Sequence, residues 1–417
     1  MSRLSKALKI FAIFPPLLLL AGTVGMVACG GSIFPTVTAT KTPTATPTGT
    51  ASTPTATPTG TKSTPTATPA GTASPSTLAF ASNFNSGTIS EFTRNTTTGA
   101  LTRVNAVAAG SKRGPKGMAI TPNNRFLYAT NFVDSTILEY SIQSNGTFAS
   151  IGAVSDGAGS GPEMIAINSA GTYLWVTNFG NGTVSAWSIG SNGALTAVQT
   201  ISGLSGPFGL VVNLSGSILY VAANKAGLIY TFTINSNGTL SQSGVAVPSL
   251  PAGARGAPGL MSVDPTGSFL YVDDLTNGVV VQFNITTGSP VVGTNYPATF
   301  SSNVPVGIGI AVLSSITYVL TANQGAGNTW AFQILNGGTL SLPPLSSGSV
   351  SAPTGLAVDP QNAFAYTANQ GNGTVGIFKL NVACPSIVQA VCQTTTIATE
   401  TNPPSNGSAP FSVVLTH

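Results

Sequence analysis

One pattern recurs seven times between residues 77 and 417 and limits the folds open to this chain. Each copy has an aromatic residue, then small or β-branched residues, then Asn or Asp. The aromatic positions are Phe80, Tyr128, Trp175, Tyr220, Tyr271, Tyr318 and Tyr366. The final positions are Asn83, Asn131, Asn178, Asn224, Asp274, Asn323 and Asn369, which lie 48, 47, 46, 50, 49 and 46 residues apart. Such a period predicts repeated units that bury a continuous core between neighbours.

A second pattern predicts how the repeats close into a ring. Six prolines each have apolar residues three and five positions later, which is the period of a strand with one packed face. These prolines are Pro115, Pro162, Pro207, Pro258, Pro305 and Pro353. The first aromatic strand has no such segment before it, and the missing copy is Pro410 with Val413 and Leu415. We therefore expect the C-terminal strand to complete the first repeat, which leaves only short sheet edges.

Turn signals between the two patterns predict the other strands. Asn181-Gly182 and Asn192-Gly193 flank a run of alternating residues, and Asn-Gly pairs are strong signals for hairpins. Four strands in about 48 residues, repeated seven times, indicate an all-β fold. The prediction is a seven-bladed β-propeller of four-stranded blades over residues 77–417.

The segment before residue 77 predicts export. Arg3, Lys6 and Lys9 precede an apolar run over residues 10–28, as in a secretory signal, and residues 26–29 resemble a bacterial lipobox. We expect a signal peptide at 1–28 and a lipidated Cys29 that ties the protein to the cell envelope, with the propeller outside the cytoplasm. An uncleaved transmembrane anchor is the alternative. Residues 29–76 are Thr- and Pro-rich and predict an extended linker.

Charge argues against a nucleic-acid partner. Residues 77–417 hold 9 Lys and Arg against 10 Asp and Glu, a net charge of −1, so no basic surface is expected. Phosphate-binding loops and metal-spaced His or Cys clusters are not found in the sequence, and we expect neither a metal nor a cofactor.

The strand and turn motifs resemble the YVTN-repeat propellers, which are grouped with the lactonase propellers that include a bacterial 6-phosphogluconolactonase. The resemblance rests on the strands of the Tyr-Val-Thr/Ala-Asn type, on the turns Gly180-Asn-Gly-Thr-Val184 and Gly371-Asn-Gly-Thr-Val375, and on Asp264-Pro-Thr-Gly267. It implies lactone hydrolysis, with a histidine near the start of an inner strand and acidic partners in the channel. The sole histidine here is His417, and Gly117, Met164 and Gly209 stand where that histidine is expected.

Candidate site residues come from loops that converge at one mouth of the central channel. Glu163 is the candidate general base, because lactone hydrolysis needs a proton acceptor and donors for an oxyanion. The candidate ligand-binding residues are Lys112, Arg113, Lys116, Arg255, Asp273 and Asp274. The alternative is that these charges form ordinary solvated surface. The repeated aromatic residues are interpreted as core packing rather than as a carbohydrate platform.

Cys384 and Cys392 are predicted to form a disulfide in an exported segment, with two free thiols as the alternative. Two functions remain open. The first is a monomeric, lipid-anchored binding module whose loops contact a protein, a glycan or a small lactone. The second is a lactone hydrolase that uses Glu163 and the basic residues at the channel mouth.

Overall fold

The computed structural model describes residues 77–417, apart from 112, 145, 252–255, 298–303, 347–348, 381–390, 393–397 and 400–408. These residues form seven antiparallel sheets, each with four or five strands. The predicted seven-bladed β-propeller is confirmed. Within the described ranges, no helix is long and apolar enough to cross a membrane. The signal peptide, Cys29 and the Thr/Pro linker lie outside the described residues and stay predictions.

The strands are numbered in chain order, and each blade is given from its inner to its outer strand. Blade 1 comprises β30 (Pro410–Leu415), β1 (Leu78–Asn83), β2 (Thr88–Arg94) and β3 (Leu101–Ala108). Blade 2 comprises β4 (Pro115–Ile120), β5 (Phe126–Asn131), β6 (Thr136–Ile142) and β7 (Phe148–Ser155). Blade 3 comprises β8 (Pro162–Ile167), β9 (Tyr173–Asn178), β10 (Thr183–Ile189) and β11 (Leu195–Ile201).

Blade 4 comprises β12 (Pro207–Val212), β13 (Ile218–Ala223), β14 (Leu228–Ile234) and β15 (Leu240–Gln242), with β16 (Val247–Pro248) also on β14. Blade 5 comprises β17 (Pro258–Val263), β18 (Phe269–Asp274), β19 (Val279–Asn284) and β20 (Val291–Pro297). Blade 6 comprises β21 (Pro305–Leu313), β22 (Ile316–Asn323), β23 (Asn328–Gln333) and β24 (Leu345–Ser346), with a 3-10 turn at Asn336–Gly338. Blade 7 comprises β25 (Pro353–Val358), β26 (Phe364–Asn369), β27 (Thr374–Leu380) and β28 (Val391–Cys392), with β29 (Ala398–Thr399) also on β27.

The C-terminal strand closes the ring as predicted. β30 pairs antiparallel with β1, with Val413 opposite Ala81 and Leu415 opposite Ala79. Val413 and Leu415 are buried in a cluster that also contains Tyr366 of blade 7. Strands from the two ends of the propeller therefore share one sheet and one hydrophobic core.

The repeated aromatic residues lie in the core between adjacent blades. Tyr128 of blade 2, for example, is fully buried against Ile165 and Trp187 of blade 3. The polar tips of these rings donate to glycine carbonyls in the next blade, which satisfies groups that would otherwise be costly to bury. These bonds are Tyr128 to Gly193 (2.7 Å), Trp175 to Gly238 (3.0 Å), Tyr220 to Gly288 (3.0 Å), Tyr271 to Gly338 (2.6 Å) and Tyr366 to Gly99 (3.0 Å). We call these five bonds the aromatic latches.

Each acceptor glycine has a positive φ, a backbone conformation that favours glycine. Gly99 has φ 74°, and a Cβ there would overlap the ring of Phe364. A larger residue at this turn would therefore be strained and would also displace a buried ring.

Two repeats depart from the predicted register. In blade 6 the pairing with β23 places Leu320, not Tyr318, at the aromatic position, three residues before Asn323. The strand is two residues longer at its start, so the sequence motif and the structural register do not coincide there. In blade 4 the position equivalent to Asn131 is Ala223, which pairs with Pro207, and Asn224 lies one residue later.

Cys392 lies in β28, whereas Cys384 lies outside the described residues. The disulfide between them therefore stays a prediction.

Candidate functional site

The second residues of the inner strands surround one end of the channel, which we call the upper mouth. They are Lys116, Glu163, Phe208, Gly259, Val306, Thr354 and Phe411. The structure brings two of the predicted site residues into direct contact here. Lys116 donates from Nζ to Oε1 of Glu163 at 2.5 Å, which joins the inner strands of blades 2 and 3. The side chains are 13% and 3% exposed, so this ion pair is shielded from bulk water.

Burial raises the pKa of Glu163, while the nearby Lys116 ammonium opposes the rise. Its second oxygen, Oε2, is buried and has no hydrogen-bond partner among the residues that the structure describes. Glu163 therefore combines a proton affinity above that of an ordinary glutamate with a free acceptor position, as a general base requires.

Three phenylalanine rings enclose the Lys116 ammonium. The distances from Nζ to the ring centroids are 4.0 Å for Phe132, 5.3 Å for Phe411 and 5.7 Å for Phe84. Ring faces attract cations, and the attraction is stronger where water is excluded. The three rings and Glu163 thus hold the ammonium at a defined place in the upper mouth.

A second cation and two more rings lie at the neighbouring blades. The Lys225 ammonium lies 4.3 Å from the centroid of the Phe179 ring. The Phe179 and Phe208 rings meet edge to face, with centroids 6.4 Å apart. This group was not predicted from the sequence. The available signal was the phenylalanine directly after the final Asn of repeats 1 to 3, at Phe84, Phe132 and Phe179.

The opposite side of the upper mouth has a different chemistry. Gln324 and Gln370 follow the final Asn of repeats 6 and 7, where repeats 1 to 3 have phenylalanine. The Gln324 amide donates to the Gln370 amide oxygen at 3.1 Å. One side is therefore aromatic and cationic, and the other is neutral and polar.

The remaining predicted site residues do not join Lys116 and Glu163 in the described structure. Arg113 is exposed in the loop before β4, and Lys112 and Arg255 lie outside the described residues. Asp273 and Asp274 are buried. Asp274 accepts from the backbone N–H groups of Ala257 (2.7 Å) and Asn277 (2.9 Å), so it stabilises a turn. A ligand-binding role for Asp273 and Asp274 stays a prediction.

Asp156, in the loop that leads to β8, has a strongly shifted pKa. Burial raises it to about 6, although Ser185 donates a hydrogen bond of 2.9 Å to its carboxyl group. A carboxyl group with a raised folded pKa binds its proton more tightly in the folded state, so its ionisation destabilises the fold.

The Asp156→Asn variant should therefore be more stable than the parent above about pH 4. Its advantage in Tm should grow between pH 4 and pH 6 by about 2 °C per pH unit and stay constant above that. Thermal unfolding across pH 4 to 8 measures this. A constant difference over the whole range would show that Asp156 titrates normally.

The other end of the channel holds a cavity of about 550 Å³. It is lined by Ala119, Ile120, Pro122, Ile167, Asn168, Ser169, Leu356, Ala357, Val358, Pro360, Val413, Val414, Leu415 and His417. The lining includes His417, and partial burial lowers the pKa of its imidazole. The lining of this cavity has no acid–base pair, so we place the candidate chemistry at the upper mouth. Across the described ranges, no group of three or more His, Cys, Asp and Glu residues converges as a metal site would require.

Comparison with known proteins identifies the fold family. Residues 77–210 match the family model for lactonase, 7-bladed beta-propeller. This part of the propeller is similar to the lactonase family. No curated protein matches the chain.

Several solved structures share the propeller fold with this chain at low identity. A protein assigned as a 6-phosphogluconolactonase from Bacteroides uniformis is 18% identical, with a TM-score of 0.70 over 81% of this chain and 98% of that chain. A protein with the same assignment from Bacteroides fragilis is 16% identical, with a TM-score of 0.69 over 82% and 98%. A periplasmic gluconolactonase from Pseudomonas aeruginosa is 17% identical, with a TM-score of 0.65 over 82% and 99%.

Proposed function

We propose that this propeller binds a lactone at the upper mouth and hydrolyses it. The observation that carries the proposal is the shielded Lys116–Glu163 pair, in which one carboxylate oxygen has no partner among the described residues. The lactonase-type fold supports hydrolysis over a purely binding role.

In the proposed reaction Glu163 acts as general base and Lys116 as the oxyanion donor. Glu163 accepts a proton from water as the water oxygen bonds to the lactone carbonyl carbon. The Lys116 ammonium stabilises the negative charge that develops on the carbonyl oxygen. The ring C–O bond then breaks, the protonated Glu163 returns its proton to the leaving oxygen, and a hydroxy acid is released.

The Glu163→Gln variant tests the proposal, because the amide keeps the shape of the side chain but cannot accept the proton. We expect kcat to fall by about 10²–10⁴-fold in a pH-stat assay of residues 77–417 against sugar and aliphatic lactones. The His417→Ala protein, altered at the other end of the channel, serves as the matched control and should retain full activity. Unchanged turnover in Glu163→Gln would refute the role of Glu163.

The Lys116→Met variant separates the two roles within the pair. Since the Lys116 ammonium holds down the pKa of Glu163, its loss should raise that pKa further. The acid limb of the pH–rate profile should then move to higher pH while the maximal rate falls. A lower rate with an unmoved limb would mean that Glu163 is not the group that titrates.

A binding module is the second candidate function. It is favoured by the low exposure of the Glu163 side chain, 3%, and by the half-buried phenylalanine rings beside it. Rings of this kind can hold a ligand by stacking, without any reaction. Saturable binding of a lactone by the parent protein, with no turnover above background, would support this function instead.

A further inference from the structure

Hydroxyl groups directly behind the upper mouth connect neighbouring blades. Thr177 accepts a hydrogen bond from the Met164 N–H of its own inner strand at 3.2 Å. The same hydroxyl donates to the carbonyl of Phe208, in the next inner strand, at 2.5 Å. One hydroxyl thus serves as acceptor within its blade and as donor to the next blade.

The same link recurs in two other blades. Ser82 accepts from the Ser412 N–H at 3.1 Å and donates to the Lys116 carbonyl at 2.6 Å. Thr130 donates to the Glu163 carbonyl at 2.8 Å. Each of these residues directly precedes the final Asn of its repeat, and each acceptor is the second residue of the next inner strand.

Asp273 stands at this position in blade 5. It directly precedes Asp274, as Thr177 precedes Asn178. Its side chain is fully buried, and its Oδ1 lies where a Cβ of Gly259 would be, so the absence of a side chain at Gly259 makes room for the carboxyl group. A carboxyl group therefore occupies the place that hydroxyl groups occupy in other blades.

The surroundings of Asp273 do not stabilise a negative charge. The strands that pack most closely against β18 are β17, β19 and β21, and these carry no charged residue. Asp274 is the charged residue beside it, and Arg255 lies outside the described residues. Burial raises the pKa of Asp273 well above its ordinary value, the Leu260 and Gly259 amides oppose this, and Asp274 adds to it. Those amides face the carboxyl group but do not complete hydrogen bonds of good geometry, because both oxygens lack a partner among the described residues.

We propose that Asp273 is a protonated carboxylic acid whose O–H donates to the Val306 carbonyl and ties blade 5 to blade 6. Val306 is the second residue of β21, which is the position of the acceptors in the other links. A carboxylic acid has one donor and can also accept from the Leu260 N–H, so it can do what the Thr177 hydroxyl does. An ionised carboxylate can only accept and would face the Val306 carbonyl with like partial charge.

This assignment makes the blade 5–blade 6 junction sensitive to pH. Loss of the Asp273 proton removes the link directly behind two residues of the upper mouth, Gly259 and Val306. The proposal does not depend on whether the upper mouth hydrolyses lactones.

Two variants of the whole propeller test the proposal. Asp273→Asn keeps a donor and an acceptor without a titrating proton, and Asp273→Thr places the side chain of Thr130 and Thr177 in this blade. Because the folded state retains a proton that the unfolded state loses above about pH 4, the parent loses stability as pH rises toward the folded pKa. The Tm advantage of Asp273→Asn should therefore grow by about 2 °C per pH unit from about pH 4 until the pH reaches the folded pKa of Asp273.

Infrared difference spectra provide a direct readout. At pH 5, where an ordinary aspartate is ionised, the parent should show a C=O stretch of a protonated carboxylic acid that disappears in Asp273→Asn and in Asp273→Thr. Two results would overturn the proposal. One is the absence of that band together with a pH-independent Tm difference. The other is a lower Tm in both variants together with a parent that Ca²⁺ stabilises and a chelator destabilises again. That result would mean that an ionised Asp273 holds a cation.

Discussion

Deletion of residues 410–417 will leave a propeller that does not fold to a soluble, cooperative monomer. The deletion removes β30, which pairs with β1, and takes Val413 and Leu415 out of the core shared by blades 1 and 7. It also removes the Thr416 hydroxyl, which accepts from the Leu78 N–H at 3.0 Å. The exposed edge of β1 would then be open to pairing with other chains, so aggregation is expected.

Size-exclusion chromatography and thermal unfolding of the truncated protein measure this effect. The control is His417→Ala, which keeps the hydrogen bonds between the backbone of residue 417 and the Asn124 side chain. This variant should behave as the parent does. Val413→Asp, which keeps the chain length, should also be severely destabilised because it places a charge in the shared core. A truncated protein with an unchanged Tm would show that β30 is dispensable.

Replacement of Arg94 by Met should destabilise the propeller by about 3–5 kcal/mol, or lower its Tm by about 4–7 °C. Arg94, in β2, donates to Asp359 in the turn after β25 at 3.1 Å, and both side chains are fully buried. The pair joins blade 1 to blade 7, across 265 residues of sequence. Removal of the cation would leave the Asp359 charge buried without its counter-charge.

The Asp359→Asn variant completes the experiment. Asp359 also accepts from the Ala363 and Phe364 N–H groups at 2.7 Å, and Asn168 does the same for its own turn in blade 3. Asn is therefore compatible with this turn. The double variant Arg94→Met/Asp359→Asn has no charge at either of these positions and should regain much of the stability lost by Arg94→Met alone. If the double variant is as unstable as the sum of the two single variants, the charge is not the cause.

The ring and its closure could be predicted because they depend on spacing along the chain. The distance between repeats and the position of Pro410 relative to Val413 and Leu415 are properties of the sequence. The register of blade 6 could not be predicted in this way, because Tyr318 satisfies the aromatic motif while Leu320 occupies the structural position. Strand length, which pairing with β23 reveals, decides between the two residues.

The site was predicted only in part because contacts between blades do not follow from position in a repeat. Glu163 and Lys116 were predicted at the same mouth, and the structure adds their direct contact and their shielding from water. The sequence alone did not predict that the charged residues Arg94, Asp359 and Asp273 are buried. Whether a charge in a strand faces solvent depends on the neighbouring blade, which a single repeat does not contain.

The aromatic latches also have a consequence for the order of folding. Four of them join residues 63 to 68 positions apart, so each can form once the next blade is in place. The latch from Tyr366 to Gly99 spans 267 residues, and the entropy of closing so long a loop opposes it until the intervening blades have folded. Local assembly should therefore be fast, and ring closure should set the rate of folding.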